Sequence, residues 1–458
     1  MRDNDRRRLG VLAAIAAVGL AVSQLSNGHD RRDVAHSGAA PNAGLLPSTN
    51  AYVEDLPGVT AGVASPEQRR ANTSLINAAL ARGAILRLRA GSLIQISSSL
   101  ILPTGSGLVG DAGAVKPVIF MPASSFTNRD DQAGTGRYSP TAVAINFSGQ
   151  LSGGHVPSRG VRLENLSVRS EDVGGRRLRA IVGQNVTDCT IRNVEVSDIP
   201  SGVGIALSSA RNCLLSDVYV HDFHDKAQWT FSPQSTGIEV DNDLINDIPS
   251  EGVTIRRFRI SDITVEGASL ARWGYQTDGI NIVNSRSRTA IEQGQISNVG
   301  EGIDTFGSDG SISDVVIRDA YIFGLKFIHG ASRNAVRNVT ITNAGLAGVI
   351  FAGSNAARTD TSGNVITRLI VKNIDPNGVW KENSTGGIIV SGRGTVRRPT
   401  NNRVVDAHID LGPNGKYGWV DGSTGSGNRA SDFTVVPGRS LDRKVLVQNG
   451  GSVVDLRP

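Results

Sequence analysis

From residue 162 onward, one nine-residue pattern recurs eight times, and this recurrence limits the chain to a small set of folds. The copies begin at residues 162, 190, 214, 254, 290, 311, 335 and 365 and read RLENLSVRS, TIRNVEVSD, LLSDVYVHD, TIRRFRISD, AIEQGQISN, SISDVVIRD, AVRNVTITN and VITRLIVKN. Each has an apolar residue at its second and seventh places, and most have Asn or Asp at the fourth and ninth. A repeat of 20-odd residues predicts a solenoid, in which each repeat packs only on its neighbours.

A second short strand, introduced by glycine, accompanies most repeats. These strands begin at residues 204, 237, 279, 302, 324, 348 and 387 and read GIALS, GIEVDN, GINIVN, GIDTFG, GLKFIHG, GVIFAG and GIIVSG. Side chains alternate along a strand, so the residue after each glycine is expected to point inward and the next outward. Such strands, with no helical segment between them, predict an all-β fold: a right-handed parallel β-helix solenoid with an N-terminal capping helix.

The amino terminus divides into three predicted regions. Residues 1–25 combine the basic stretch DRRRLG with an apolar run that is shorter than the roughly 20 residues of a membrane-spanning helix, which predicts a signal peptide or, alternatively, an uncleaved signal anchor. DRRRLGVL resembles the bacterial twin-arginine signal. Residues 26–51 have the composition of a flexible linker. Residues 52–458 are predicted to form a single β-helix domain, with its capping helix near 65–83.

These regions set the expected location and partners. We expect an exported protein, periplasmic or extracellular in a bacterium, that contacts a membrane only through an uncleaved anchor. The formal net charge is +5, but several arginines lie in the first 32 residues, so the charge does not indicate a nucleic-acid partner. We expect a monomer.

The chain resembles the pectin-lyase-like superfamily of β-helical polysaccharide enzymes. The resemblance covers about residues 75–436 and includes the opening LRLRAGSLIQISSSLILPTGSGLVG, which follows the predicted capping helix. It implies the fold named above, a polysaccharide substrate and no obligatory cofactor.

Stacking the glycine-led strands brings carboxylates together. The outward place two residues after each glycine reads Ala206, Glu239, Asn281, Asp304, Lys326, Ile350 and Ile389, and the place before the glycine includes Asp278 and Glu301. Adjacent rungs are about 4.8 Å apart, so these polar residues are expected to form one patch. Crowded carboxylates raise one another's pKa, which acid catalysis requires. The alternative is an ordinary solvated surface.

Within the superfamily, the patch resembles the polygalacturonase-type glycoside hydrolases. Those carry Asn-Thr-Asp followed one coil later by Gly-Asp-Asp, and here QTDGINI supplies Asp278 while GEGIDTF places Glu301 at the general acid. Gly302 replaces the family's second aspartate and Phe323 its histidine, and no Arg-x-Lys follows. The resemblance therefore implies Glu301 as the acid, Asp278 or Asp304 as the group that activates water, and Lys326 as the partner of a charge on an acidic polysaccharide.

A polysaccharide lyase or uronate C5-epimerase is the alternative enzyme. Such β-helical enzymes often use Ca²⁺, for which Glu239, Asp241 and Asp243 offer oxygen ligands. Candidate bases are Lys326, His329, Arg272 and Tyr275. His329 also fits a turn column in which asparagines stack. We expect no metal for the hydrolase.

Substrate contacts are predicted from the same face and its longer loops. The candidate substrate-binding residues are Glu239, Asn281, Trp273, Tyr275, Trp229 and His329. Loop tryptophans, including Trp380, suit sugar rings, but they are as often packed in the core. A third hypothesis is a non-catalytic glycan-binding or surface structural β-helix, which predicts no charged cluster.

The two cysteines, Cys189 and Cys213, occupy the same register in adjacent repeats. They are expected to stack as a buried pair, or to form a disulfide in an oxidising compartment.

Overall fold

The computed structural model describes residues 51–123, 141–147, 156–171, 177–226, 235–242, 248–266, 276–283, 288–355, 357, 359–380, 384–392, 394–438, 445–447 and 451–457. The predicted signal region and nearly all of the predicted linker lie outside these ranges. So do Trp229, Trp273 and Tyr275, together with Asp243 and Arg272.

Within the described residues, one α-helix, Pro66–Leu80, precedes the strands, after a 3-10 turn at Val53–Asp55. Ser65 caps the helix by accepting a hydrogen bond from the backbone N–H of Gln68, and the Gln68 side chain accepts one from the Ser65 backbone in return. This reciprocal capping box satisfies two N–H groups that the first helical turn leaves unpaired. Gly83, with φ of 75°, adopts the left-handed conformation just beyond the helix end. None of the helices in the described ranges is long and apolar enough to cross a membrane.

The strands form three parallel ladders that together make one continuous 29-stranded sheet within the described residues. The first ladder contains Ile85–Leu88, Gly107–Gly110, Arg162–Glu164, Thr190–Arg192, Leu214–Ser216, Thr254–Arg256, the first residues of Ala290–Thr305 and of Ser311–Phe327, Ala335–Ala344, Val365–Lys372, Arg403–Asp410, Ser426–Val436 and Gly451–Leu456.

The second ladder contains Leu93–Gln95, Val118–Met121, Ser167–Ser170, Glu195–Ile199, Tyr219–Lys226 and Arg259–Glu266, and it continues through the middle of the long strands that begin at residues 290, 311, 335, 365, 403 and 426. Short strands also pair outside the main sheet: Ser158–Arg159 with Val186–Thr187, and Thr361–Ser362 with Pro399–Thr400.

The third ladder, here called the site ladder, contains Leu100–Ile101, Thr141–Asn146, Arg177–Gln184, Gly202–Ser208, Thr236–Asp241, Asp278–Ile282, the last residues of the strands that end at Thr305 and Phe327, Ala347–Ala352, Gly386–Ser391, Tyr417–Asp421 and Val445–Val447. Successive coils contribute one strand to each ladder, so the chain winds as a parallel β-helix. The predicted all-β solenoid is confirmed.

A continuous apolar core runs inside the described coils. The apolar second place of each repeated nine-residue pattern is buried, at Leu163, Ile191, Leu215, Ile255, Ile291, Ile312, Val336 and Ile366. The residue after each glycine of the site ladder is buried in the same core. Cys189 and Cys213 are joined by a disulfide between adjacent coils, with their Cα atoms 4.6 Å apart.

The glycines that introduce the site-ladder strands allow the coils to approach closely. A Cβ built on Gly302 would lie against the carbonyl oxygen of Gly324 on the next coil and 2.8 Å from Ile317 Cγ2. A Cβ built on Gly279 would lie 2.6 Å from the carbonyl oxygen of Gly302. A side chain at either position would force two coils apart, so the glycine column follows from the packing.

Candidate active site

The strand register of the site ladder is the one predicted from the sequence. Asp278 pairs with Glu301, and Asn281 pairs with Asp304, on neighbouring strands. On the next strand Phe323 lies beside Glu301 and Lys326 beside Asp304. Glu239 pairs with Asn281 on the preceding side. The outward-facing polar residues therefore lie in two adjacent columns.

These residues face away from the core but are buried. Relative exposure is 1% for Asp278, 1% for Glu301, 4% for Asp304 and 2% for both Asn281 and Glu239. The interpretation as a solvated surface is therefore wrong. A carboxylate in such an environment loses most of its hydration and needs a hydrogen-bonded or charged partner.

Lys326 provides that partner for two of the carboxylates. Its Nζ donates hydrogen bonds to Glu301 Oε2 at 2.8 Å and to Asp304 Oδ2 at 2.9 Å. Asn281 Nδ2 donates to Asp278 Oδ2 at 2.8 Å. The closest carboxylate oxygens of Asp278, Glu301 and Asp304 all lie within 4.8 Å of one another. We call these five residues the carboxylate cluster.

Hydrogen-bond acceptors exceed donors in the carboxylate cluster. Among the described residues, Glu301 Oε1, Asp304 Oδ1 and Asn281 Oδ1 are buried without a hydrogen-bond partner. Three carboxyl groups face one ammonium group, so full ionisation would leave two uncompensated negative charges. The cluster therefore favours extra protons or a ligand rich in donors.

Burial is the main reason that protons are retained here. It raises the pKa of Asp278 well above its ordinary range, and the negative charges of Glu301 and Asp304 raise it further. Burial likewise raises the pKa of Asp304 to about 7, against the opposing effect of the Lys326 ammonium group. The pKa of Lys326 is raised by Asp304, Glu301 and Asp278, although burial alone would lower it. The sequence predicted raised carboxyl pKa values from charge crowding, but desolvation is the larger cause.

A second buried ion pair adjoins the carboxylate cluster. Arg179 Nη2 lies 3.3 Å from Glu239 Oε1, and both side chains are 3% exposed. Arg179 was missed in the sequence because its strand has Ala180 where later strands have the leading glycine. The register Arg179 to Val203 to Thr236 to Asp278 places it in the same outward column as the carboxylates.

Apolar residues border the cluster on both sides of the site ladder. Towards the N-terminus lie Val143, Val182, Val203 and Ala206. Towards the C-terminus a larger group includes Phe323, Ala347, Ile350, Trp380 and Ile389. The charged side chains of the carboxylate cluster thus lie between two buried apolar groups on the same ladder.

Two predicted contact residues have other roles. Trp380 is 1% exposed, packs in the C-terminal apolar group and donates its Nε1–H to the carbonyl oxygen of Tyr321 at 3.1 Å, so the sugar-platform interpretation is wrong for this residue. His329 lies in a left-handed turn with φ of 55°, where its Nδ1 is 2.6 Å from Ser354 Oγ and its ring packs edge-on against Phe306. This position fits the turn-column interpretation.

The carboxylates that lie close together in the structure are not the ones considered above as calcium ligands of a lyase. Glu239 faces Arg179, and Asp241 Oδ1 accepts a hydrogen bond from the backbone N–H of Asn242. Asp278, Glu301 and Asp304 form the tight carboxylate group instead, and the Lys326 ammonium already contacts two of them. Lys326 therefore acts as the cation of the cluster, and we assign no metal ligands.

Comparisons with known proteins support the fold. Residues 179–366 match the family model described as "Right handed beta helix region". No curated protein sequence matches the chain. Three similar solved structures are a tailspike protein of E. coli bacteriophage HK620 in complex with a pentasaccharide, the Yersinia enterocolitica family 28 exopolygalacturonase, and PfbA, a surface adhesin of Streptococcus pneumoniae.

The three structures share the fold at low sequence identity. The tailspike is 10% identical, with a TM-score of 0.62 over 85% of this chain and 67% of its own. The exopolygalacturonase is 11% identical, with a TM-score of 0.53 over 89% and 79%. The adhesin is 13% identical, with a TM-score of 0.52 over 88% and 90%. They include an enzyme and an adhesin, so function has to be argued from this chain's own residues.

Proposed function

Because the chain is a right-handed parallel β-helix with the pectin-lyase-like fold, we propose that it is a glycoside hydrolase that acts on a polysaccharide through the carboxylate cluster. The observation that carries the proposal is the tight group of Asp278, Glu301 and Asp304, whose closest oxygens lie within 4.8 Å of one another. Glycoside hydrolysis needs two carboxyl groups, one protonated and one ionised, beside the glycosidic bond that is cleaved.

We assign the catalytic roles from the environments of the three carboxyl groups. The raised pKa of Asp278 keeps a proton on this residue, so Asp278 is the general acid. Glu301, hydrogen-bonded to the ammonium group of Lys326, is the partner that acts on the anomeric carbon or on water. The sequence resemblance implied the acid at Glu301, so this assignment exchanges the two roles.

Hydrolysis then follows ordinary acid–base chemistry. Asp278 gives its proton to the glycosidic oxygen as the bond from the anomeric carbon to that oxygen breaks. As nucleophile, Glu301 forms a bond to the anomeric carbon, and water then displaces it while Asp278 takes back a proton from that water. As base, Glu301 instead takes the proton of the water that adds directly to the anomeric carbon. The closest oxygens of Asp278 and Glu301 lie within 4.8 Å of each other, below the about 6.5–9.5 Å of inverting enzymes, which favours a retaining mechanism.

The contacts of Lys326 bear on the charge of the substrate. The acidic polysaccharide expected from the sequence requires Lys326 to face a substrate carboxylate. In the cluster, this ammonium group already donates to Glu301 and Asp304. We therefore do not retain an acidic substrate as part of the proposal.

A non-catalytic glycan-binding protein is the second candidate. The observation that favours it is the burial of the cluster, because Asp278 and Glu301 are each only 1% exposed. A buried, internally paired network can serve to fix a fold rather than to catalyse. Trp229, Trp273 and Tyr275 remain proposed sugar contacts under both candidates.

We also propose that the protein is exported and monomeric. The signal-like amino terminus supports export, and so does the disulfide between Cys189 and Cys213, since disulfides persist mainly in oxidising compartments.

The proposal is tested on a panel of neutral, acidic and amino polysaccharides, with reducing ends and unsaturated-uronate absorbance followed together. New reducing ends without unsaturation support the hydrolase. Unsaturation would assign a lyase, and binding without either product would assign a glycan-binding protein.

A further inference from the structure

The carboxylate cluster also indicates a substrate class, in an inference that rests on the proposed function. We propose that the sugar bound here carries a free ammonium group: a hexosamine without an N-acetyl group.

On the middle strands of the site ladder, buried carboxyl groups outnumber the cations that lie beside them. Four carboxyl groups, those of Glu239, Asp278, Glu301 and Asp304, face two cations, Arg179 and Lys326, and Arg179 is paired with Glu239. With Asp278 protonated and Arg179 paired with Glu239, the carboxyl groups of Glu301 and Asp304 share the one cation Lys326. A uronate would add a negative charge where one of these carboxyl groups already lacks a cation of its own. An ammonium sugar would reduce the imbalance.

Several buried hydrogen-bond acceptors of the carboxylate cluster also have no donor within the described part of the chain. Glu301 Oε1, Asp304 Oδ1 and Asn281 Oδ1 are buried acceptors without a partner among the described residues. Thr236 Oγ1 is also buried without a partner, one rung from Asp278. An ammonium group has three donors and no acceptor, so it can supply hydrogen bonds to such acceptors, whereas a carboxylate only accepts.

Lys326 demonstrates that these carboxylates hold a primary ammonium group. Its Nζ contacts Glu301 Oε2 and Asp304 Oδ2 at 2.8 and 2.9 Å, the short distances of charge-assisted hydrogen bonds. This leaves the other oxygen of each carboxylate unpartnered. A second ammonium group on the ligand would use those oxygens in the same way.

Small methyl glycosides test the inference without the non-specific binding of polycations. The full chain is titrated by NMR with methyl glucosaminide and methyl galactosaminide, with their N-acetyl counterparts, with methyl galacturonide and with putrescine. We expect the ammonium sugars to bind at least about tenfold more tightly than the N-acetyl sugars and the galacturonide, as for an added charge-assisted hydrogen bond.

Variants connect the preference to the cluster. Asp304→Asn removes one charge at nearly constant shape, and the preference should fall to about threefold or less, a loss of most of one charge-assisted bond. Glu67→Gln removes the same charge from the exposed capping helix and should leave the preference unchanged.

Other results would overturn the inference. These are equal or tighter binding of N-acetyl sugars or galacturonide, binding of putrescine as tight as that of the amino sugars, no binding of amino sugars, or an unchanged preference in Asp304→Asn. The proposed hydrolase is judged separately, by reducing-end release on the polysaccharide panel, so either proposal can fail while the other stands.

Discussion

Lys326 Nζ lies 2.8 Å from Glu301 Oε2, and this ion pair joins two neighbouring strands of the site ladder. The same ammonium group reaches Asp304 Oδ2 at 2.9 Å. Only 14% of the Lys326 side chain is exposed, so the interaction is shielded from water and salt. Lys326 is thus the group on which the stability of the carboxylate cluster most depends.

Removing this ammonium group should destabilise the protein strongly. We expect Lys326→Met to lower the free energy of unfolding by about 3–5 kcal/mol at pH 7, because it leaves buried carboxylates without a cation. Arg333→Met is the control, since Arg333 pairs with Asp309 at the surface and its loss should cost at most about 1 kcal/mol. Urea unfolding measures both, and equal losses would contradict this account.

The pH dependence of stability follows from Asp304. Its pKa is raised from 3.8 to about 7 in the folded protein, so the folded state binds the proton more tightly than the unfolded state. The stabilisation of the folded state by this tighter proton binding is complete below about pH 4 and is lost as pH rises towards 7. Asn cannot ionise, so Asp304→Asn should gain stability relative to the wild type between about pH 4 and 7.

Urea titrations at several pH values measure this difference. A stability difference between Asp304→Asn and the wild type that stays constant from pH 4 to 8 would mean that Asp304 does not titrate in this range.

The roles of the two catalytic carboxyl groups can be separated with substrates that differ in leaving group. An aryl glycoside with a good leaving group needs little help from a general acid. Asp278→Asn should therefore lose about 10²–10⁴-fold in kcat on the polysaccharide but much less on the aryl glycoside. Glu301→Gln should lose activity on both, because water addition still needs its carboxylate. The reverse pattern would return the acid role to Glu301.

The glycine column makes a prediction about the fold. Gly302→Ala places a methyl group against Gly324 O and 2.8 Å from Ile317 Cγ2, and should destabilise by at least about 1–3 kcal/mol. At Gly451, the nearest atom to an added Cβ is 3.7 Å away, so Gly451→Ala should be nearly neutral. Thermal unfolding measures both, and similar melting temperatures would argue against close approach at Gly302.

Much of the fold could be predicted from the sequence because a solenoid repeats short-range information. The apolar places of each pattern, such as Ile191 and Ile255, had to face one core. The pairing of Asp278 with Glu301 followed from aligning the glycine-led strands, and the clash at Gly302 explains why that column tolerates no aspartate.

Features that depend on what covers the coils could not be predicted in this way. Alternation places Asp304 outward, but its 4% exposure is a property of the assembled chain. For the same reason, desolvation was not recognised as the main cause of the raised pKa values, and Trp380 was not recognised as a packed residue. Arg179 could have been found by extending the outward column one coil further, past the alanine that replaces the leading glycine.

Catalysis by the carboxylate cluster is tested by reducing-end release from the polysaccharide panel. The wild type is compared with Asp278→Asn, and Glu67→Gln is the matched exposed control. Thermal unfolding of each variant verifies that it is folded. We predict that the wild type and Glu67→Gln release reducing ends at the same rate and that folded Asp278→Asn is at least about 10²-fold slower. Equal rates for all three proteins would contradict catalysis by the carboxylate cluster.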